Sequence, residues 1–239
     1  MSALENKIKR VHEKIAEAFA RSKYKTEPVT LIAVSKKQPA DTVINAASLG
    51  QVDFGENYVQ EASKKMDKVA AVLAQTKIQW HLIGALQTNK SKHVVGKFTT
   101  IQSVDRIELA KALNVRAHDF GVTQEIMIQV KLGDEPTKGG VLPAQGAELI
   151  KKIAQLENLK IEGLMAIPPI EAEAEASRKF FIQLRELKEQ WASLVPQTSG
   201  SFKHLSMGTT HDFEVAIEEG STMVRVGTAL FGSREHLES

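Results

Sequence analysis

Val29-Thr-Leu-Ile-Ala-Val-Ser-Lys-Lys-Gln-Pro39 decides how the rest of the chain is read. From Val29 to Val34 every residue is apolar or β-branched. An uncharged run of that kind marks a strand buried on both faces of a parallel sheet. Lys36 stands where the run stops. Pro39 then has the spacing of a first helical turn, where its missing N–H is not needed. A lysine is thus placed at the C-terminal lip of a strand, ahead of a helix. Open α/β sheets and α/β barrels carry their chemistry at that lip. Side chains alternate along a strand, so Lys36 shares a face with Ile32 and Val34. Such surroundings disfavour a charged amine, which lowers its pKa and frees the nucleophilic form. That is the condition of a Schiff-base lysine. The competing reading makes Lys36 and Lys37 ordinary solvated loop charges, since strand ends are commonly polar.

Working outward, the pattern repeats. Ser2 and Glu5 have capping-box spacing, and Leu4, Ile8, Val11, Ile15 and Phe19 form one stripe of an amphipathic helix. The first strand and a helix over 39–49 follow, closed by Gly50. Further strands are predicted at 51–57, 79–84, 98–104, 125–131, 160–167, 202–206 and 222–227. Between them lie a helix with Val59, Ala62, Met66, Val69 and Leu73 inward, a weaker polar helix over 87–95, and a helix opened by Asp105 and Glu108. A helix beginning at Pro143 comes next, then one carrying Phe180, Leu184, Leu187, Trp191 and Leu194, and a short one with Phe213, Ala216 and Ile217. Strand and helix alternate about eight times, which means a parallel sheet with right-handed crossovers. The 239 residues suit one α/β barrel of about 250 residues. The expectation is a single (β/α)8 barrel over 28–234, preceded by an N-terminal helix and connection over 1–27. A doubly wound open sheet is the alternative.

Composition removes several classes. With 42% apolar and 25% charged residues and a net charge of +2, nothing calls for nucleic acid or an anionic membrane. There is no cysteine, hence no disulfide, thiolate catalysis or Cys-ligated zinc. No apolar run approaches the roughly 20 residues of a membrane span, and the first residues have no secretory pattern. A cytoplasmic protein is expected. His81, His93, His118 and His211 lack metal-ligand spacing, and neither a P-loop nor GxGxxG occurs.

On a barrel the functional rim is made of strand-to-helix loops: Lys36, residues 56–58, Gly84, 165–168, 206–208 and 225–228. The loops after the seventh and eighth strands frequently hold a phosphate on backbone N–H groups. Gly208 and Gly227 would admit an anion close to the backbone, and Ser206 and Thr228 would donate hydroxyls. Each has a plainer reading as turn or cap chemistry. Arg225 ends an apolar strand, either as a donor to a ligand or in a salt bridge to Glu56 or Asp212.

Ala33-Val-Ser-Lys-Lys37, Phe54-Gly-Glu-Asn-Tyr-Val-Gln-Glu61, Trp80-His-Leu-Ile-Gly-Ala-Leu-Gln-Thr-Asn-Lys90, Gly163-Leu-Met-Ala-Ile167, Leu205-Ser-Met-Gly208 and Gly220-Ser-Thr-Met-Val-Arg-Val-Gly-Thr-Ala-Leu-Phe-Gly232 stand in this order. Together they resemble the pyridoxal 5′-phosphate homeostasis proteins, from about Pro28 to Arg234. The resemblance implies a barrel similar to the N-terminal domain of alanine racemase. Lys36 would hold the cofactor as a Schiff base. Ser206, Gly208, Gly227 and Thr228 would belong to the phosphate cup, Arg225 would face the pyridine nitrogen, and Asn57 would line the pocket. Lys138 matches a loop lysine with a part in accepting or passing on the cofactor. Many relatives read Met-Ser-x-Asp where Thr209-Thr-His-Asp212 stands here, which leaves the outer edge of the cup open.

The resemblance also implies a carrier without turnover that holds and delivers pyridoxal phosphate, with pyridoxal-phosphate-dependent apo-enzymes as recipients. Arginine keeps its proton and would leave the ring nitrogen unprotonated, a poorer electron sink. Racemisation needs a second acid/base, which alanine racemase takes from a tyrosine of an additional β domain. Up to Ser239 the tyrosines are only Tyr24 and Tyr58. An amino-acid racemase and a cofactor-free Schiff-base aldolase are the alternatives. A monomer is expected, because each apolar stripe has a barrel to cover.

Overall fold

A computed structural model of the protein describes residues 2–24, 27–133, 135 and 139–232. It opens with α1 (Ala3–Arg21). The Ser2 hydroxyl accepts from the Glu5 N–H while the Glu5 carboxylate accepts from the Ser2 N–H, so two donors at the helix start are satisfied reciprocally. The stripe it buries is Ile8, Val11, Ile15 and Ala18, with Leu4 and Phe19 at its edges.

The strands are β1 (Thr30–Val34), β2 (Asp53–Glu56), β3 (Gln79–Leu82), β4 (Thr100–Val104), β5 (Gln124–Gln129), β6 (Leu159–Met165), β7 (His204–Thr209) and β8 (Met223–Val226). They pair in parallel in chain order, and β1 pairs with β8 through Thr30 to Ala33 opposite Met223 to Val226. The sheet is therefore a closed eight-stranded barrel. Around it lie α2 (Ala40–Ser48), α3 (Val59–Val72), α4 (Ile107–Asp119), α5 (Pro143–Ile153), α6 (Arg178–Trp191), α7 (Phe213–Glu218) and α8 (Thr228–Phe231). Among the described residues no helix is long and apolar enough to cross a membrane.

Alternation along each strand makes two interiors. Outward residues such as Leu31, Ala33, Phe54 and Leu82 join the helices in one large apolar layer. Inside the barrel Ile32, Met127, Met165 and Met223 form a separate cluster.

Three local expectations are corrected. Residues 87–95 do not make a regular helix; a 3-10 turn spans Thr88–His93, because this polar stretch offers no apolar stripe to dock. On α6 the buried aromatics are Phe181 and Trp191, and Phe180 is only partly covered. A 3-10 turn (Ala174–Ser177) directly precedes that helix. The seventh strand runs to Thr209, past the expected end at Ser206, and Phe202 lies outside it with φ 48°.

Candidate functional site

Closure of the barrel sets the first strand beside the last. At the C-terminal end of that seam lies a cavity of 580 Å³, within the range of about 300–1,000 Å³ typical of small-molecule sites. Lys36, Asn57, Arg225, Gly227 and Thr228 line it together with Thr209, Thr210 and His211. Its apolar wall is Val34, Ile83, Ile167 and Ile170. Lys36 thus reaches the cavity on the face it shares with Ile32 and Val34, as side-chain alternation requires.

The loop carrying Lys36 is held on both sides. The Lys65 ammonium, on α3, donates to the Ser35 carbonyl at 2.6 Å and to Glu56 Oε1 at 2.5 Å. The Ser35 hydroxyl donates to the same Glu56 oxygen at 2.7 Å. The Lys37 N–H donates to Glu61 Oε1 at 2.6 Å. Lys37 has φ 61°, a left-handed backbone that non-glycine residues adopt only at some cost. The Glu61 contact stabilises that turn immediately after Lys36. Glu56 is fully buried, and burial pushes its carboxyl above the ordinary range despite the opposing Lys65 charge.

Asn57 enters the wall because the loop after β3 carries Gly84. A Cβ there would meet the Asn57 carbonyl oxygen at 2.3 Å, so only glycine lets the two loops approach this closely. The Asn57 Oδ1 atom is buried and finds no hydrogen-bond partner among the described residues. A buried acceptor of this kind is an opening for a ligand's donor.

The opposite wall is built by two short segments. Asp212 accepts from the Thr209 N–H at 2.7 Å and from its hydroxyl at 3.2 Å, fixing the turn ahead of α7. The Thr210 hydroxyl accepts from the Gly227 N–H at 3.2 Å, tying this turn to the start of α8. The first amides of α8 have no carbonyl within the helix to donate to.

Arg225 is buried at 3% exposure, and burial draws its guanidinium down to about 10, opposed by the nearby Asp212 carboxylate. It stays charged at neutral pH. It donates to the Ser206 hydroxyl at 2.6 Å and to the Ala166 carbonyl at 2.7 Å, and no carboxylate bonds to it among the described residues. Glu56, one expected partner, is committed to Lys65 instead.

The structure does not bring every candidate to the cavity. Ser206 is fully buried beneath Arg225, and its hydroxyl donates to Gln102 Oε1 at 2.6 Å. Gly208 has φ 90°, and a Cβ on it would meet Ala216 and Phe213. It packs β7 against α7 and is absent from the lining. Thr209, Thr210 and His211 occupy the position expected of Ser206 and Gly208. They were the segment that departs from the usual Met-Ser-x-Asp pattern, and that departure was the available signal. Lys138 lies outside the described residues.

A closed parallel barrel with a lysine in the loop after β1 and a cavity across the β1–β8 seam fits the alanine racemase N-terminal domain class, and the family so described matches residues 6–235. Within that class the chain belongs to the pyridoxal phosphate homeostasis proteins. It is 41% identical to the one from Aquifex aeolicus over 99% of this chain and 100% of that protein. It is 37% identical to the Escherichia coli protein of the same name, over 99% of each. A structure of PipY from Synechococcus elongatus with pyridoxal phosphate bound superposes with a TM-score of 0.76 at 37% identity, covering 91% of this chain and 100% of that one.

Proposed function

We propose that this protein binds pyridoxal 5′-phosphate through Lys36 and serves intracellular pyridoxal phosphate homeostasis as a carrier without turnover of its own. The observation that carries the reading is the meeting of Lys36 with Arg225, Gly227 and Thr228 in one cavity across the β1–β8 seam. When bound, the cofactor supplies an aldehyde that condenses with a lysine amine and a phosphate that serves as a handle. The residues present fit such a group. The hydroxyl protons of Thr210 and Thr228 are donors for the phosphate, and the unpartnered Asn57 Oδ1 awaits a donor. Val34, Ile83 and Ile167 would offer apolar surface to the ring.

Two observations favour holding over turnover. A protonated Arg225 leaves nothing to protonate the pyridine nitrogen, so the ring would withdraw electrons poorly. Neither tyrosine lines the cavity: the Tyr24 ring packs beneath Arg185 at 4.1 Å, and Tyr58 is half exposed. We infer a cytoplasmic monomer that passes its cofactor to pyridoxal-phosphate-dependent apo-enzymes, with Lys138 as a second amine on the way.

Purified protein mixed with pyridoxal phosphate, reduced with borohydride and mapped by peptide should carry the label on Lys36. A label elsewhere, or none, overturns the binding reading. Incubation with single-enantiomer amino acids in deuterated water should give no α-proton exchange above a Lys36→Ala control. Exchange above that control would make the protein an enzyme.

A further inference from the structure

Beneath the cavity a row of buried polar groups crosses the barrel. Arg225 Nη1 donates to Ser206 Oγ at 2.6 Å, and Ser206 Oγ donates to Gln102 Oε1 at 2.6 Å. Gln102 Nε2 lies 3.3 Å from His81 Nδ1, and His81 Nε2 lies 2.9 Å from Asp53 Oδ1. Five strands contribute one residue each: β8, β7, β4, β3 and β2. Arg225, Ser206, Gln102 and His81 are all buried, and the row ends at the partly exposed Asp53, the first residue of β2.

The donors all point one way. Ser206 has a single hydroxyl proton, and it goes to Gln102 Oε1, so its oxygen is left to accept from Arg225. The amide of Gln102 then faces His81 Nδ1 and, at 3.7 Å, the Met223 sulfur, which can only accept. A bare Nδ1 puts the ring proton on Nε2, directed at the Asp53 carboxylate. Reversing Gln102 would set its oxygen against the sulfur and against His81 Nδ1, and would leave Ser206 facing two donors. The orientation of each group is thus fixed by the next, back to a carboxylate at the far end of the barrel.

We propose that Gln102, oriented by His81 and Asp53, is the positioning residue for Arg225. It fixes the Ser206 hydroxyl as an acceptor, which holds the guanidinium at one height and tilt in the cavity, where it would meet the pyridine nitrogen of pyridoxal phosphate. Part of this rests on the proposed cofactor reading; the direction of the chain does not.

Nitrogen-15 NMR of the cofactor-free full chain reads the direction by itself: His81 should carry its proton on Nε2 with Nδ1 bare. A proton on Nδ1 overturns the proposal. Two variants then separate positioning from packing, with the thermal midpoint and the absorbance spectrum of added pyridoxal phosphate as readouts. Gln102→Leu fills the space but offers no acceptor. It should weaken retention by about tenfold and shift the absorbance maximum. Gln102→Glu keeps the acceptor for Ser206 while losing the donor to His81 Nδ1, and should retain the wild-type maximum. A pure packing role gives the reverse order, and that order, or a Leu variant equal to wild type, overturns the proposal. Should the Leu variant not fold, Ser206→Ala takes its place with the same expected loss. If wild type itself takes up no cofactor, the homeostasis reading fails, and with it the role proposed for Gln102, while the His81 tautomer still reports whether the chain exists.

Discussion

Lys65 donates to the carbonyl of Ser35 at 2.6 Å, one peptide away from the lysine that enters the cavity. The same ammonium neutralises Glu56 in surroundings closed to water. Lys65→Met would leave that carboxylate without its cation, and breaking one side of a buried pair costs about 3–5 kcal/mol. Denaturant unfolding of Lys65→Met should show a loss of that order. The double variant with Glu56→Gln should recover much of it, since no bare charge is left behind. Borohydride labelling of Lys36 should slow in both, because the Ser35 carbonyl has lost its donor.

Glu56 also sets a pH dependence. Its carboxyl titrates above the ordinary value because of burial, so the folded state binds its proton more tightly than the unfolded state does. The corresponding stability is fully present below the unfolded value of about 4.3 and is lost as pH rises through the higher folded value. Unfolding free energies of wild type and Glu56→Gln, compared from pH 4 to 8, should diverge against wild type as pH rises. A parallel pair of curves would refute the assignment.

Thr210 joins the segments that follow β7 and β8 through the Gly227 amide. Thr210→Val keeps the shape and removes the hydroxyl. Pyridoxal phosphate should be held about fivefold to tenfold more weakly by equilibrium dialysis, as expected for one hydrogen bond of about 1 kcal/mol or slightly more. Pyridoxal without the phosphate should bind both proteins equally.

Gly84→Ala sets a methyl against the Asn57 backbone. Overpacking of this kind costs typically about 1–3 kcal/mol. The thermal midpoint should fall, and cofactor retention should fall with it because Asn57 is displaced from the wall. Gly96→Ala meets open space but has φ 74°, so it should lower stability through backbone strain while leaving retention unchanged.

Much of this architecture is written in short-range pattern. The uncharged run before Lys36 reads as β1, and Ser2 with Glu5 reads as the start of α1, because both signals are complete within a few residues. Lys36, Arg225, Gly227 and Thr228 could be placed at one rim once eight strands were counted. What escaped depends on depth and on pairing across the fold. Ser206 reads as a cup hydroxyl, yet alternation turns it under Arg225, and the strand continues three residues further to give Thr209 and Thr210 the cavity. Glu56 and Lys65 are unremarkable as a pair in sequence. They meet because a strand and the helix packed outside it bring them together in the buried layer. The row from Asp53 to Arg225 draws one residue from each of five strands, and no local period announces it.

The pairing of Thr30 to Ala33 with Met223 to Val226 zips the first strand of the barrel to the last. A vitamin anchored at Lys36 and clasped at Thr228 would act there as a removable staple over nearly the full contour of the polypeptide. Loading would then slow global opening far more than opening of any single loop, and surrender of the cargo would be the moment at which the whole ring becomes easiest to unlace.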